Sequence, residues 1–180
     1  MKERRHTIFV IALILITINL WIGSKTPGFD LRMNPLKYIT QIAALLGTVF
    51  LSVELMLISR FKLLENVIGP LDKLFQYHKH LSIFAVITFL VHSSTLILNA
   101  LPNTILARIY IIPSLNNTPY LAGIVALYLF LITVVISLYI RLPYHIWKIT
   151  HKILALSTFF ATYHILTISS DISTNIPLRI

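Results

Sequence analysis

The sequence predicts an all-α integral membrane protein, a bundle of five transmembrane helices. Three observations lead there. Hydrophobic residues make up 57% of the 180-residue chain and charged residues 12%, with a mean hydropathy of +0.83, whereas a soluble domain carries about 25% charged residues. The apolar residues gather into five runs, and crossing a hydrocarbon core takes about 20 helical residues. The segments between the runs are short, polar and often basic, so the chain reads as a single transmembrane domain over residues 1–180.

The first span covers residues 7–23, behind the basic cluster Lys2, Arg4 and Arg5. This opening is similar to a secretory signal, but no small-x-small cleavage pattern follows Trp21-Ile22-Gly23-Ser24-Lys25, so the helix is expected to stay uncleaved. A loop with Pro27 and Gly28 leads to the second span, residues 39–58, and a charged loop over residues 60–73 follows. The third span runs over residues 76–101 and ends in the turn signal Leu101-Pro102-Asn103. The fourth covers residues 120–140. A short basic link, residues 141–148, then feeds the fifth, residues 149–168. Gly47 and Gly123 lie within spans, where small residues let helices approach closely.

Lys and Arg set the expected orientation. With the N-terminus cytoplasmic, the inner segments collect Lys2, Arg4, Arg5, Arg60, Lys62, Lys73, Lys79, Arg141, Lys148 and Lys152. The outer segments hold Lys25, Arg32, Lys37, Arg108 and Arg179. The excess on the inner side favours a multi-pass protein of the cell membrane with its N-terminus inside. The formal net charge of +9 is thereby explained by topology, and no basic stripe with interleaved aromatics suggests nucleic acid as a partner.

Four of the seven histidines sit in the apolar spans in matched pairs, His78 with His92 on the third and His151 with His164 on the fifth. The separations are 14 and 13 residues. At about 1.5 Å of rise per residue, each pair sets its imidazoles roughly 20 Å apart, most of the way across a core of about 30 Å. Ionisable groups in a membrane are costly and usually face a bundle interior with a partner. Haem iron is such a partner, because neutral imidazole ligates it well. The third and fifth spans run in the same direction, so first pairs with first: His78 and His151 for an inner haem iron, His92 and His164 for an outer one. With both axial positions filled by histidine, such haems carry electrons and do not bind oxygen. The absence of cysteine excludes disulfides, thiolate ligation and CxxCH attachment, so any haem is a non-covalent b type.

Helical phase divides the two pairs. Fourteen residues bring His78 and His92 to one face within about 40°, but thirteen set His151 and His164 about 140° apart on an ideal helix. The second pair therefore needs a local change of winding, a π-bulge or a crossing angle.

The stretch Arg60-Phe61-Lys62-Leu63-Leu64-Glu65, then Leu71-Asp72-Lys73, His78-Lys79 and His92, resembles the transmembrane domain of the ferric reductase and NADPH oxidase superfamily, particularly its bacterial members. Trp147-Lys148, His151-Lys152 and His164 are similar to the second haem helix of that family. The resemblance covers residues 60–168 by motif and the first two spans by hydropathy. It implies a haem b bundle with two b-type haems, fed from NAD(P)H through FAD on the cytoplasmic side and delivering electrons to ferric iron or oxygen outside. The family's sixth helix and its FAD/NAD(P)H-binding domain are not found in this sequence, so those cofactors are expected either on a partner flavoprotein or dehydrogenase or on a missing domain of a longer chain. An alternative within this class is a haem subunit passing electrons from quinol or a flavoprotein to a periplasmic repair reductase. A reading from another class is a cofactor-free transporter or structural membrane subunit.

Lys79, Lys148 and Lys152 flank the inner histidines, where haem propionates would bring negative charge; ordinary positive-inside anchoring explains them equally. His80 lies about 120° off the face of His92, His145 falls in the basic link, and His6 has no assigned role. Glu54 is the one carboxylate within a span and is expected to pair in the bundle or snorkel inward, with proton movement as the second reading. Asn116-Asn117-Thr118 matches a glycosylation acceptor triplet, a common pattern that carries little weight.

Overall fold

A computed structural model describes residues 2–25, 30–59 and 71–168, with the side chains of 2–6 and 71–72 excepted. Residues 26–29, most of the charged loop including Arg60, Lys62 and Glu65, and the stretch from 169 onward with Arg179 lie outside the described residues. The described secondary structure is entirely helical: α1 (Lys2–Gly23), α2 (Pro35–Ile58), α3 (Leu71–Ala100), α4 (Thr104–Ile109), α5 (Thr118–Tyr139), α6 (Tyr144–His151) and α7 (Ile153–Thr167).

Three helices are long and apolar enough to cross a membrane, Pro35–Ile58, Lys73–Ala100 and Thr118–Tyr139, with a further shorter apolar stretch at Thr7–Gly23. These correspond to the first four predicted spans. Large apolar side chains such as Ile83, Ile87, Leu90 and Leu98 of α3 are exposed. A soluble protein rarely exposes so much apolar surface, whereas helices with such surfaces suit a lipid environment because their backbone groups are satisfied internally. The protein is an all-helical membrane protein.

Where the helices begin, the sequence says why. Asn34, Asn103 and Asn117 are the N-caps of α2, α4 and α5, and each side-chain oxygen accepts a backbone N–H of the first turn. Pro35 and Pro119 follow two of these caps, in the first-turn positions where a missing N–H costs nothing.

Three observed elements differ from the sequence reading. The predicted fifth span is not one helix but α6 and α7, interrupted at Lys152. There Lys152 N–H bonds Ile149 O at 3.1 Å and Ala155 N–H bonds Lys152 O at 3.0 Å, three-residue bonds in place of four-residue ones. Lys152 itself has φ −65° and ψ −19°, values of a 3₁₀ turn. The others are α4, a short helix in the link after the third span, and α3, which begins at Leu71, ahead of its apolar run.

The chain forms two compact units, Met1–Asn99 and Ala100–Ile180. In the first, Phe50, Val53 and Leu57 of α2 bury against Leu74, Leu81 and Ala85 of α3, and α1 lays Val10, Leu13 and Ile14 on the same cluster. The α2 and α3 helices run antiparallel in close register. Thr40 meets Thr95 with hydroxyl oxygens 2.6 Å apart, Gly47 faces Thr88 and Phe89, and Phe50 packs on Phe84 with centroids 5.8 Å apart. At the end of α2 nearest Thr40, Lys25 and the Trp21 indole N–H both donate to Gln41 Oε1, at 3.0 and 3.3 Å, which ties α1 to α2. In the second unit α5 packs along α7, and the buried Ser157 hydroxyl donates to Ala126 O at 2.8 Å. The Tyr128 hydroxyl donates to Ile111 O at 2.7 Å and the Tyr110 ring packs on Tyr120 at 5.3 Å, so the link carrying α4 is held against α5. Burial, reinforced by Tyr120, pushes the Tyr110 phenol above its ordinary value.

Candidate functional site

Each unit holds one pair of the predicted histidines, His78 and His92 on α3 in the first and His151 and His164 on α6 and α7 in the second. All four side chains are half-buried. They are built into their helices in two ways.

His92 and His164 share one arrangement. His92 lies in the last third of α3, and its Nδ1 is 3.0 Å from Thr40 O, near the start of α2. Close to the end of α7, His164 has its Nδ1 2.8 Å from Pro119 O, near the start of α5. A carbonyl oxygen can only accept, so in each case Nδ1 carries the proton and donates it. The neutral ring then has its lone pair on Nε2, the form in which imidazole ligates a metal, with the second nitrogen oriented by a hydrogen bond to the protein. Antiparallel packing produces the match: a residue near the end of the second helix of a pair comes level with the first turns of the helix before it.

The close contacts differ between the pairs. A Cβ built on Gly123 would stand 2.8 Å from His164 Nδ1, 2.9 Å from Cε1 and 3.1 Å from Cγ. A Cβ on Gly47 would meet the Phe89 ring at 2.8 Å and Thr88 Oγ1 at 3.1 Å, with no histidine atom among its three nearest neighbours. The glycine of the second unit is thus packed on the Nδ1 edge of a candidate ligand, while that of the first is packed on the ring three residues before one.

His78 and His151 sit in the first halves of their segments. The His151 ring stacks on Trp147, one turn earlier, with centroids 4.7 Å apart and planes at 22°, and Trp147 stacks in turn on Tyr144 at 6.1 Å. His78 is followed one turn on by Ser82, whose hydroxyl bonds His78 O at 2.8 Å. Lys79, Lys148 and Lys152 are exposed beside these two histidines. His80 is exposed with Nδ1 2.7 Å from Gln76 O in its own helix, and His145 is also exposed, so neither joins the set. The His6 side chain is outside the described ones.

Glu54 is 7% exposed, within the apolar contact of α2 and α3. Its Oε1 accepts no hydrogen bond among the described residues, and the nearby Ser82 hydroxyl is donated to His78 O instead. Asn117 of the Asn116-Asn117-Thr118 triplet is occupied as the cap of α5. What sequence reasoning missed are the carbonyls of Thr40 and Pro119 and the ring contact of Gly123. A glycine four residues past a helix-start proline, on a span paired with a histidine-bearing one, was the only trace of them.

Comparison with protein families matches residues 43–162 to the ferric reductase like transmembrane component. The matched stretch includes His78, His92 and His151, ends two residues before His164, and reaches back through most of α2, beyond the motif-bearing stretch. No curated protein and no solved structure gave a match. With two thirds of its length covered, the chain belongs to the ferric reductase-like transmembrane family.

Proposed function

We propose that this member of the ferric reductase-like transmembrane family carries electrons across the cell membrane, from a cytoplasmic flavin or NAD(P)H donor to ferric iron or oxygen outside. His78 and His151 would hold an inner b-type haem, and His92 and His164 an outer one, with the N-terminus cytoplasmic. The observation that carries this reading is the shared orientation of His92 and His164: each commits Nδ1–H to a backbone carbonyl, the tautomer in which Nε2 is the nitrogen that ligates iron. A bis-histidine haem supplies one-electron redox chemistry with no open iron position.

The residues of this chain divide the remaining work. Fourteen residues of continuous α3 set His78 and His92 at two depths about 20 Å apart on one face. In the second unit the 3₁₀ turn at Lys152 tightens the winding from about 100° to about 120° per residue, so a few such residues turn His164 back toward the face of His151 by several tens of degrees. The rotation has the sign that the 13-residue spacing calls for and supplies part of the roughly 140° it needs. Trp147 fixes the ring plane of His151 by stacking. Lys79, Lys148 and Lys152 offer cations at the inner end, where propionates would otherwise stand uncompensated near the membrane surface. The apolar helices keep water from the space between the two depths.

The test is the haem content of detergent-purified protein. The reading requires a reduced-minus-oxidised spectrum of low-spin b type with two haems per chain. Protein that is colourless after expression with ample haem would sink it in favour of a cofactor-free membrane subunit.

A further inference from the structure

The contact between Gly123 and His164 belongs to a small arrangement that a histidine in a membrane does not by itself require. In a regular helix the Pro119 carbonyl points toward the residue four positions on, which is Gly123. A side chain from another helix that reaches for that carbonyl must pass over position 123. The His164 ring does so with its Nδ1 edge: Nδ1, Cε1 and Cγ are the three atoms a Cβ at 123 would strike, at 2.8 to 3.1 Å. The methyl group would press on the same Nδ1 that donates to Pro119 O at 2.8 Å. Contacts under 3.0 Å are not tolerated without movement, and the thing that must move is the ring.

We propose that Pro119 O and Gly123 together form a ligand seat on α5 that fixes both the tautomer and the ring position of His164, making Gly123 a positioning residue for the outer haem. This rests on the haem reading above but adds to it a residue on a helix that carries no ligand. The seat acts through His164 and touches no iron. A hydrogen bond from Nδ1–H to a carbonyl makes the imidazole more basic at Nε2, which strengthens its hold on iron and favours the ferric state. Losing the bond weakens the ligand or raises the potential of the haem it serves.

Gly47 supplies a matched control, because a Cβ there meets its first neighbour at the same 2.8 Å but strikes the Cδ1–Cε1 edge of the Phe89 ring instead of a ligand. Gly123→Ala and Gly47→Ala are purified and compared for haem per chain, low-spin EPR signals and the midpoint potential of each haem. The expected result is that Gly47→Ala keeps two haems with unshifted signals. Gly123→Ala either falls to one haem per chain or keeps two with the outer potential raised and its EPR signal altered. Two haems with both potentials and both signals unchanged in Gly123→Ala would overturn the seat while leaving the haem reading intact.

A second experiment avoids any packing defect at position 123. His164→Gly is supplied with free imidazole or with 1-methylimidazole, which lacks the N–H that Pro119 O accepts. Imidazole should restore the second haem at a concentration at least several-fold lower than 1-methylimidazole. Equal rescue by the two would contradict the seat even if Gly123→Ala fails to fold, and a wild-type protein with no haem at all would be a failure of the underlying reading instead.

Discussion

The two halves of the molecule solve one geometric problem with different helices. In the first unit a single 30-residue helix, α3, carries both candidate ligands 14 residues apart, a spacing that 3.6-residue winding brings to one face without adjustment. In the second, the candidates are 13 residues apart and the helix is interrupted directly after the first of them. One residue fewer in the spacing coincides with one turn of 3₁₀ winding. Both units nevertheless end alike, with the later histidine suspended by Nδ1 from a carbonyl at the start of the preceding long helix. The orientation of the later histidine is common to the two halves, while the helix that carries the pair is continuous in one and interrupted by a 3₁₀ turn in the other.

The largest effect expected is on transmembrane electron flow. Replacing His78 and His151 together by alanine should reduce donor-driven reduction of an external acceptor in oriented vesicles to background. The remaining path from the inner face would then span most of a core about 30 Å thick. Wild-type rates in that double variant would mean that electrons do not use this pair.

Next in size is the interruption itself. Local opening is easier where the four-residue ladder is broken, because the affected N–H groups hold poorer three-residue bonds. Hydrogen exchange should show the amides of residues 152–155 opening at least tenfold more readily than those of residues 79–82, which occupy the same offset from His78 in continuous α3. Equal protection would remove the physical distinction between the units.

The smallest effect concerns the polar contacts that align each antiparallel pair. Ser157→Ala removes a buried bond to Ala126 O in the second unit, and Thr95→Val removes the hydroxyl contact with Thr40 in the first. Interhelical hydrogen bonds in membrane proteins contribute about 0.6 kcal/mol on average, so each variant should unfold at slightly lower denaturant with no loss of haem. A loss of several kcal/mol from either one would show that the helix pair depends on that bond rather than on apolar packing.

The membrane class was legible in the sequence because it is written in side-chain type, and the four candidate histidines were singled out by spacing alone. Apolar runs fixed α2, α3 and α5 to within a few residues, and the Asn-Pro and Asn-Thr-Pro openings of α2 and α5 are ordinary capping signals. The interruption at Lys152 was legible only as a discrepancy of phase. No proline or glycine marks it, since a 3₁₀ turn differs from an α turn by a few tens of degrees in ψ that any residue can adopt. The early start of α3 was hidden because Asp72 and Lys73 are charged and fall outside any apolar window, and α4 is too short for periodicity to register. The carbonyls that orient His92 and His164 were beyond reach for a different reason. They are backbone atoms, present at every residue, and lie 52 and 45 positions away in the chain.

The central claim is that the two outer histidines, one from each unit, serve a single iron. His92→Ala and His164→Ala are therefore compared by haem content, potential and EPR in otherwise identical preparations. Each should fall from two haems per chain to one, and the haem that remains should have the same potential and the same low-spin signal in both variants. If the two replacements leave different haems behind, His92 and His164 do not share an iron, and the pairing of the parallel helices proposed here is wrong.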